Sequence, residues 1–234
     1  MAFTAKDIML RVQLVLNDAG AVRWTLPELR LWLNDGLREI VTAKPNANAK
    51  TVELPLQKGT YQVLPDTYVA LMQITRNLTS VDASVNKRAG RAITTIQRAT
   101  LDAIMPGWQD PAVLPYAAQV VHVVDNQLDP RTFFVAPGND GTGTVEAIVS
   151  ELPADIGEPV NPLLIDSYTA TVPLHDIYRT VLTDYVLYKA FSKETDVATA
   201  SQRAVGHLTR FNDALGVKMS KEAELNVNTA SRMA

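Results

Sequence analysis

Three features of this 234-residue sequence predict an α+β fold: apolar residues recur at helical spacing near its start, alternate at strand spacing through its middle, and return to helical spacing near its end. Helices, then strands, then helices do not make the strand–helix alternation of a parallel sheet. Each terminal pair of helices is amphipathic and needs a partner. The N-terminal pair (1–49) and the C-terminal pair (173–217) are therefore expected to close one helical bundle, with a β-rich insertion (50–172) between them and an extended tail at 218–234.

In the first helix Ile8, Val12, Val15, Leu16 and Ala19 form an apolar stripe, and Gly20 is the expected stop. The second opens on Thr25-Leu26-Pro27-Glu28, which reads as a capping box with proline in the first turn. Leu29, Trp32, Leu33, Leu37 and Ile40 make its buried face, and Lys44-Pro45 ends it because the residue before proline is pushed out of helical geometry.

From residue 50 to 152 the period is two. Val52, Leu54 and Leu56 alternate with Thr51, Glu53 and Pro55, and a proline there suits an edge strand, having no N–H to give a neighbour. Gln57-Lys58-Gly59 reads as a turn that returns 60–64 as the partner strand. Further strands are expected at 70–76, 91–96, 119–125, 132–136 and 144–150, with a short helix at 98–105. The 119–125 run is apolar on both faces, which predicts a central strand. Residues 151–173 carry four prolines and read as a long connection.

Two helices follow. Leu174, Ile177, Tyr178, Val181, Tyr185 and Tyr188 share a face of the first. Val197, Ala200, Ala204, Leu208, Phe211 and Leu215 share a face of the second, with Gly216 as its expected cap. Trp24, Trp32, Tyr185, Tyr188 and Phe211 are the aromatic residues expected to pack the bundle or a contact between copies.

Composition narrows the chemistry. The chain has no cysteine, which removes cysteine zinc sites, iron–sulfur clusters and thiol nucleophiles. Its 22 Lys and Arg against 25 Asp and Glu give a net charge of −3, and a protein that grips duplex DNA through phosphates carries a basic excess instead. The N-terminus has no signal-peptide pattern, because Lys6, Asp7 and Arg11 interrupt it, and the apolar stretch 111–124 is too short to span a bilayer. An intracellular protein without membrane contact is expected.

Three histidines are present. His122 lies within VVHVV, His175 precedes Asp176 at a helix start, and His207 lies beside Leu208 and Phe211. None has a second ligand at metal-binding spacing, and no HExxH, GxSxG or SxxK motif occurs. The glycine-rich stretch 137–143 lacks the GK[ST] ending of a phosphate loop and reads as a hairpin tip. No catalytic, cofactor or metal residues are predicted. An enzyme reading would need His122 to meet one of the scattered aspartates, as in a small-molecule hydrolase.

Three stretches resemble a known family: WTLPEL (24–29) running into WLNDGLREIVTAKPNA (32–47), LPLQKGTYQVLP (54–65), and YVLYKAFSKETDVA (185–198) continuing through RAVGHLTRFNDALGVK (203–218). By pattern and order they resemble the head-to-tail adaptors of tailed bacteriophages, the short-tailed type also called connector or tail tubular protein A-like. The resemblance implies a non-enzymatic virion protein of the neck, between capsid and tail, assembled in the host cytoplasm. It implies a dodecameric ring that touches the portal protein on one side and the tail nozzle or tail-tube protein on the other, with double-stranded DNA passing through without specific binding. It assigns portal contact to the tail, anchored by Lys218, Met219, Lys221, Glu222, Leu225 and Val227. About twelve copies would carry a charge on the order of −36, which suits a conduit that does not hold its cargo. Another neck component, such as a tail terminator or completion protein, is the alternative within the virion.

Overall fold

A computed structural model of the chain describes residues 3–80, 88–126, 128–194 and 199–225. The helices are α1 (Ala5–Leu16), α2 (Leu26–Ala43), α3 (Arg98–Ile104), α4 (Arg179–Lys193) and α5 (Ala200–Leu225). The strands are β1 (Ala49–Pro55), β2 (Gly59–Val63), β3 (Tyr68–Ser80), β4 (Arg88–Ala92), β5 (Thr94–Thr95), β6 (His122–Asp125), β7 (Thr132–Asn139) and β8 (Thr144–Glu151). Two helices at each end flank a strand-rich middle, an α+β fold. The chain divides into two compact units, residues 1–47 with 153–234 and residues 48–152.

In the helical unit α4 packs against α1, α2 and α5. It is consequently buried around much of its circumference, from Val181 and Leu182 through Tyr185, Val186 and Leu187 to Ala190. Ile8, Met9 and Val12 of α1 and Leu29, Leu33, Leu37 and Ile40 of α2 fill the same core. Gly36 allows close approach, since a Cβ there would stand 2.9 Å from the Tyr185 ring.

The helix ends depart from expectation in instructive ways. α1 stops at Leu16, where Asn17 takes the left-handed conformation (φ 53°) and closes the helix before Gly20 is reached, leaving Val15 and Ala19 exposed. A working capping box sits at Thr4 and Asp7, not at Thr25 and Glu28. Thr25 makes no side-chain cap bond, and the Glu28 side chain that would complete the box is drawn across to Lys193 of α4, with both carboxylate oxygens accepting from Nζ at 2.7 and 2.8 Å. Ile177 falls in a 3-10 turn before α4 and is 51% exposed instead of facing the core. Gly216 does not cap α5. Its φ is not positive, and the helix runs on through KMSKEAEL, residues with good helical propensity, so 218–225 is helix and not extended tail. Residues 226–234 lie outside the described residues, as does Val197.

The connection 153–172, expected within the insertion, belongs with the helices. Asn34 of α2 accepts from the Ile156 N–H at 2.8 Å and donates to its carbonyl at 3.2 Å, while Arg38 donates to both Asp155 carboxylate oxygens. Residues 170–172 pair antiparallel with the chain start, through Ala5 N–H to Ala170 O and Val172 N–H to Phe3 O. Backbone groups of a proline-rich segment find partners there.

The strand unit holds two four-stranded sheets, ordered β1-β8-β3-β4 and β2-β7-β6-β5. β1 is an edge strand, as Pro55 requires. It does not pair with β2. β1 pairs with β8 and β2 pairs with β7, and the Leu56 N–H bonds Gly143 O between the two ladders. Residues 49–63 and 132–151 thus form one long antiparallel ribbon bent at 56–58 and 140–143 and shared by both sheets. Neither turn is a hairpin, and the glycine-rich stretch is a sheet-to-sheet corner. Leu54, Val145 and Val149 from one sheet meet Val123, Phe133 and Val135 from the other in one core. Strand geometry in the 119–125 run is confined to β6, which is central as expected, between β7 and β5. A second cluster, around the fully buried Trp108, takes Leu101 from α3 and Val124 and Ala136 from the sheet.

Two buried asparagines fix this unit. Asn139 donates to the carbonyls of Ala117 and Ala118 and accepts from the N–H groups of Gly141 and Gly143. Asn77 donates to the carbonyls of Arg91 and Val120 and accepts from the Val120 N–H. Each satisfies backbone groups that the ladders leave over.

Candidate functional site

The predicted aromatic residues come together in the helical unit. Trp24, Tyr185 and Phe211 are each 5% exposed, with Trp32 and Tyr188 half-buried beside them. Trp24 donates its indole N–H to the Ala190 carbonyl at 3.2 Å. Tyr185 contacts both Phe211 (centroids 5.2 Å apart) and Tyr188 (5.9 Å). Burial pushes the Tyr185 phenol up to about 12, with the carboxylates of Glu39 and Asp35 adding to it.

α4 and α5 run antiparallel, joined by a polar contact that sequence reasoning missed. Nδ1 of His207 lies 2.8 Å from Oδ1 of Asp184, both residues less than a tenth exposed. The His207 ring stacks on Phe191 at 5.6 Å, and the Arg203 guanidinium covers the same Phe191 ring. His207 is thus held by an aspartate and a ring, which suits positioning of α5. Its partner stands 23 residues earlier, on the other helix of the hairpin, so no spacing rule could announce it.

The register of these contacts places the start of α4 opposite Leu215. α5 has 26 residues against 15 in α4, so residues 216–225 continue past the end of their neighbour. That overhang amounts to roughly 15 Å of helix. Lys218, Met219, Lys221, Glu222 and Leu225 belong to it, and Val227 lies outside the described residues.

His122 does not meet a carboxylate. Its Nδ1 is 2.8 Å from the Thr94 hydroxyl, and it borders an apolar cleft of about 250 Å³ beneath α3, lined by Ile96, Leu101, Met105 and Leu114 among others, with no acid in the lining. The convergence that a hydrolase would need is missing among the described residues. Nor do the described residues hold a group of three or more His, Asp or Glu able to bind a metal. His175 uses its Nδ1 to accept from the Ile177 N–H before α4. No described helix is long and apolar enough to cross a membrane.

Among the described residues the prominent features are therefore the aromatic and Asp184–His207 contacts of the helical unit and the length of α5. The family model described as SU10 adaptor protein matches residues 3–233, nearly the whole chain, and the chain belongs to that family of bacteriophage adaptors. This agrees with the resemblance to phage head-to-tail adaptors in the three stretches quoted above, and an adaptor family is a family of structural proteins, not of known enzymes. Among curated proteins none matches the chain.

Proposed function

We propose that this adaptor forms a ring, with about twelve copies, in the virion neck between the portal protein and the tail nozzle or tail tube, and that the genome passes through its channel. The observation that carries the reading is the overhang of α5. In this reading the last turns of α5 find their place on another protein, since isolated helical turns are marginal in water and gain from docking. The four-residue steps Phe211, Leu215, Met219 and Ala223 carry the buried face of α5 forward into that overhang. The overhang, with Lys218, Met219, Lys221, Glu222 and Leu225, and Val227 after it in the sequence, is the portal-binding element of this proposal. Lys and Glu side by side suit a mixed polar rim around apolar anchors.

The test is deletion of 218–234 from the full chain. The expected product keeps its circular dichroism and thermal transition, because Leu215 and everything before it remain, but loses co-assembly with the portal protein. A truncated chain that co-assembles as well as the intact one overturns the assignment.

A further inference from the structure

Two helix faces of the helical unit are left open, and their chemistry is complementary. α1 buries Ile8, Met9 and Val12, yet its opposite side carries Leu10 and Leu14, which are 44 and 82% exposed. Two leucines one turn apart make a stripe and not a scattered residue. Within that stripe Arg11 is exposed and has no ion pair within 4 Å among the described residues. Asp7, one turn back, is engaged by Thr4. The outer line of α2 has Leu31, 54% exposed, followed at four-residue steps by Asp35 and Glu39. Asp35 reaches only Lys189, at 3.9 Å, and Glu39 has no ion pair within 4 Å among the described residues.

We infer that the outer face of α1 in one copy packs on the outer face of α2 in the next, with Leu10 and Leu14 against Leu31 and Arg11 against Asp35 and Glu39. The inference rests on the ring reading above and names the contact that would build it. Charge selects this pairing over the alternatives. Two α1 faces together would oppose Arg11 to Arg11, and two α2 faces would oppose their carboxylates, while the mixed pairing joins opposite signs. In the ring reading each copy gives its α1 face to one neighbour and its α2 face to the other, which makes the contact heterologous. A repeated heterologous contact propagates from copy to copy and closes as a ring or extends as a filament, where a two-fold contact would stop at a dimer.

The chain contains no cysteine, which makes the test clean. Leu14→Cys and Leu31→Cys are introduced together into the full chain, which is then oxidised alone and with the portal protein present. The expected result is a disulfide ladder beyond the dimer, with no ladder from either single variant. Arg11→Glu on this background should abolish the ladder, and adding Glu39→Arg should restore it. These exposed charge changes serve as the control if the cysteines alter the thermal transition, since native mass spectrometry reads the same loss and rescue of multimers. Multimers that form without the ladder overturn the α1–α2 contact and leave the ring standing. A chain that stays monomeric under both conditions overturns the contact and the ring together.

Discussion

The helical unit and the strand unit are held by different means. In the first, polar groups tie together residues far apart in sequence: the Trp24 indole to Ala190, Asn34 to Ile156, Glu28 to Lys193 and Lys6 to Asp166, across 122 to 166 residues. In the second, buried asparagines fix corners. Asn139 binds four backbone groups no more than 22 residues away. The first arrangement closes the two ends of the chain on one another and leaves helix faces outside. The second freezes the path of a bent ribbon. One unit with fixed corners and another with open helix faces suit a building element whose assembly contacts lie on its helices.

The sharpest way to break this comparison is at a corner. A Cβ at Gly143 would stand 2.2 Å from both the Ala118 carbonyl oxygen and Asn139 Nδ2, and the carbonyl belongs to the backbone, so neither can yield cheaply. Gly143→Ala is expected to cost more than about 3 kcal/mol. Trp108 is the only tryptophan of the strand unit, so its fluorescence in a Trp24→Phe, Trp32→Phe background reports that unit alone. Its signal should shift to that of an exposed indole while helical circular dichroism persists. Simultaneous loss of both signals would show that the units do not stand apart.

Next in size is the α4–α5 contact. Asp184→Ala leaves the His207 imidazole without its partner in a buried site and should destabilise the helical unit by about 2–3 kcal/mol. Asp184→Asn keeps a hydrogen-bonding oxygen and should cost less. Equal transition midpoints for the two variants in urea would remove the contact from the account. A smaller effect separates the two candidate caps. Thr4→Ala should cost about 1 kcal/mol and Thr25→Ala close to nothing, because only Thr4 bonds its helix end with its side chain. The reverse order would restore the cap read from the sequence.

The smallest effect is in pH. Hydrogen bonds from the Thr4 backbone and hydroxyl hold the Asp7 carboxyl below its ordinary value. Burial pushes the Asp18 carboxyl up, but the N–H groups of Trp24, Val22 and Arg23 outweigh it and the net shift is down. A carboxyl depressed in the folded state adds stability above its unfolded value, about 3.9, and loses it as pH falls through the folded value. Asp7→Asn and Asp18→Asn should therefore lower the thermal midpoint at neutral pH, and the difference from the parent should shrink in acid below that value. A difference that grows in acid would reverse the sign.

The helices were legible because their signal is local. Ile8, Val12, Leu29, Leu33, Leu37 and Val181 repeat within a few residues of one another and stay buried. Their ends were less so. Asn17 can take positive φ as Gly20 can, and only the fold decides which is used. Strand positions were visible, but the pairing was not, since Gly59 (φ 116°) and Gly141 (φ 97°) supply the same conformations to a sheet corner as to a hairpin. Asn77, Asn139 and the Asp184–His207 pair have partners fixed only by tertiary packing. The portal-binding residues came from resemblance, and the projecting helix that would present them came from the structure.

The central claim is that this chain is a ring component whose helical unit carries the contacts. It is tested most directly by imaging the assembled virion neck at a resolution that traces helices. The account predicts a single ring of about twelve copies between portal and tail, with the end of α5 on the portal and α1 of each copy against α2 of the next. Density for this chain anywhere other than the neck, or a ring joined only through its strand units, would contradict it.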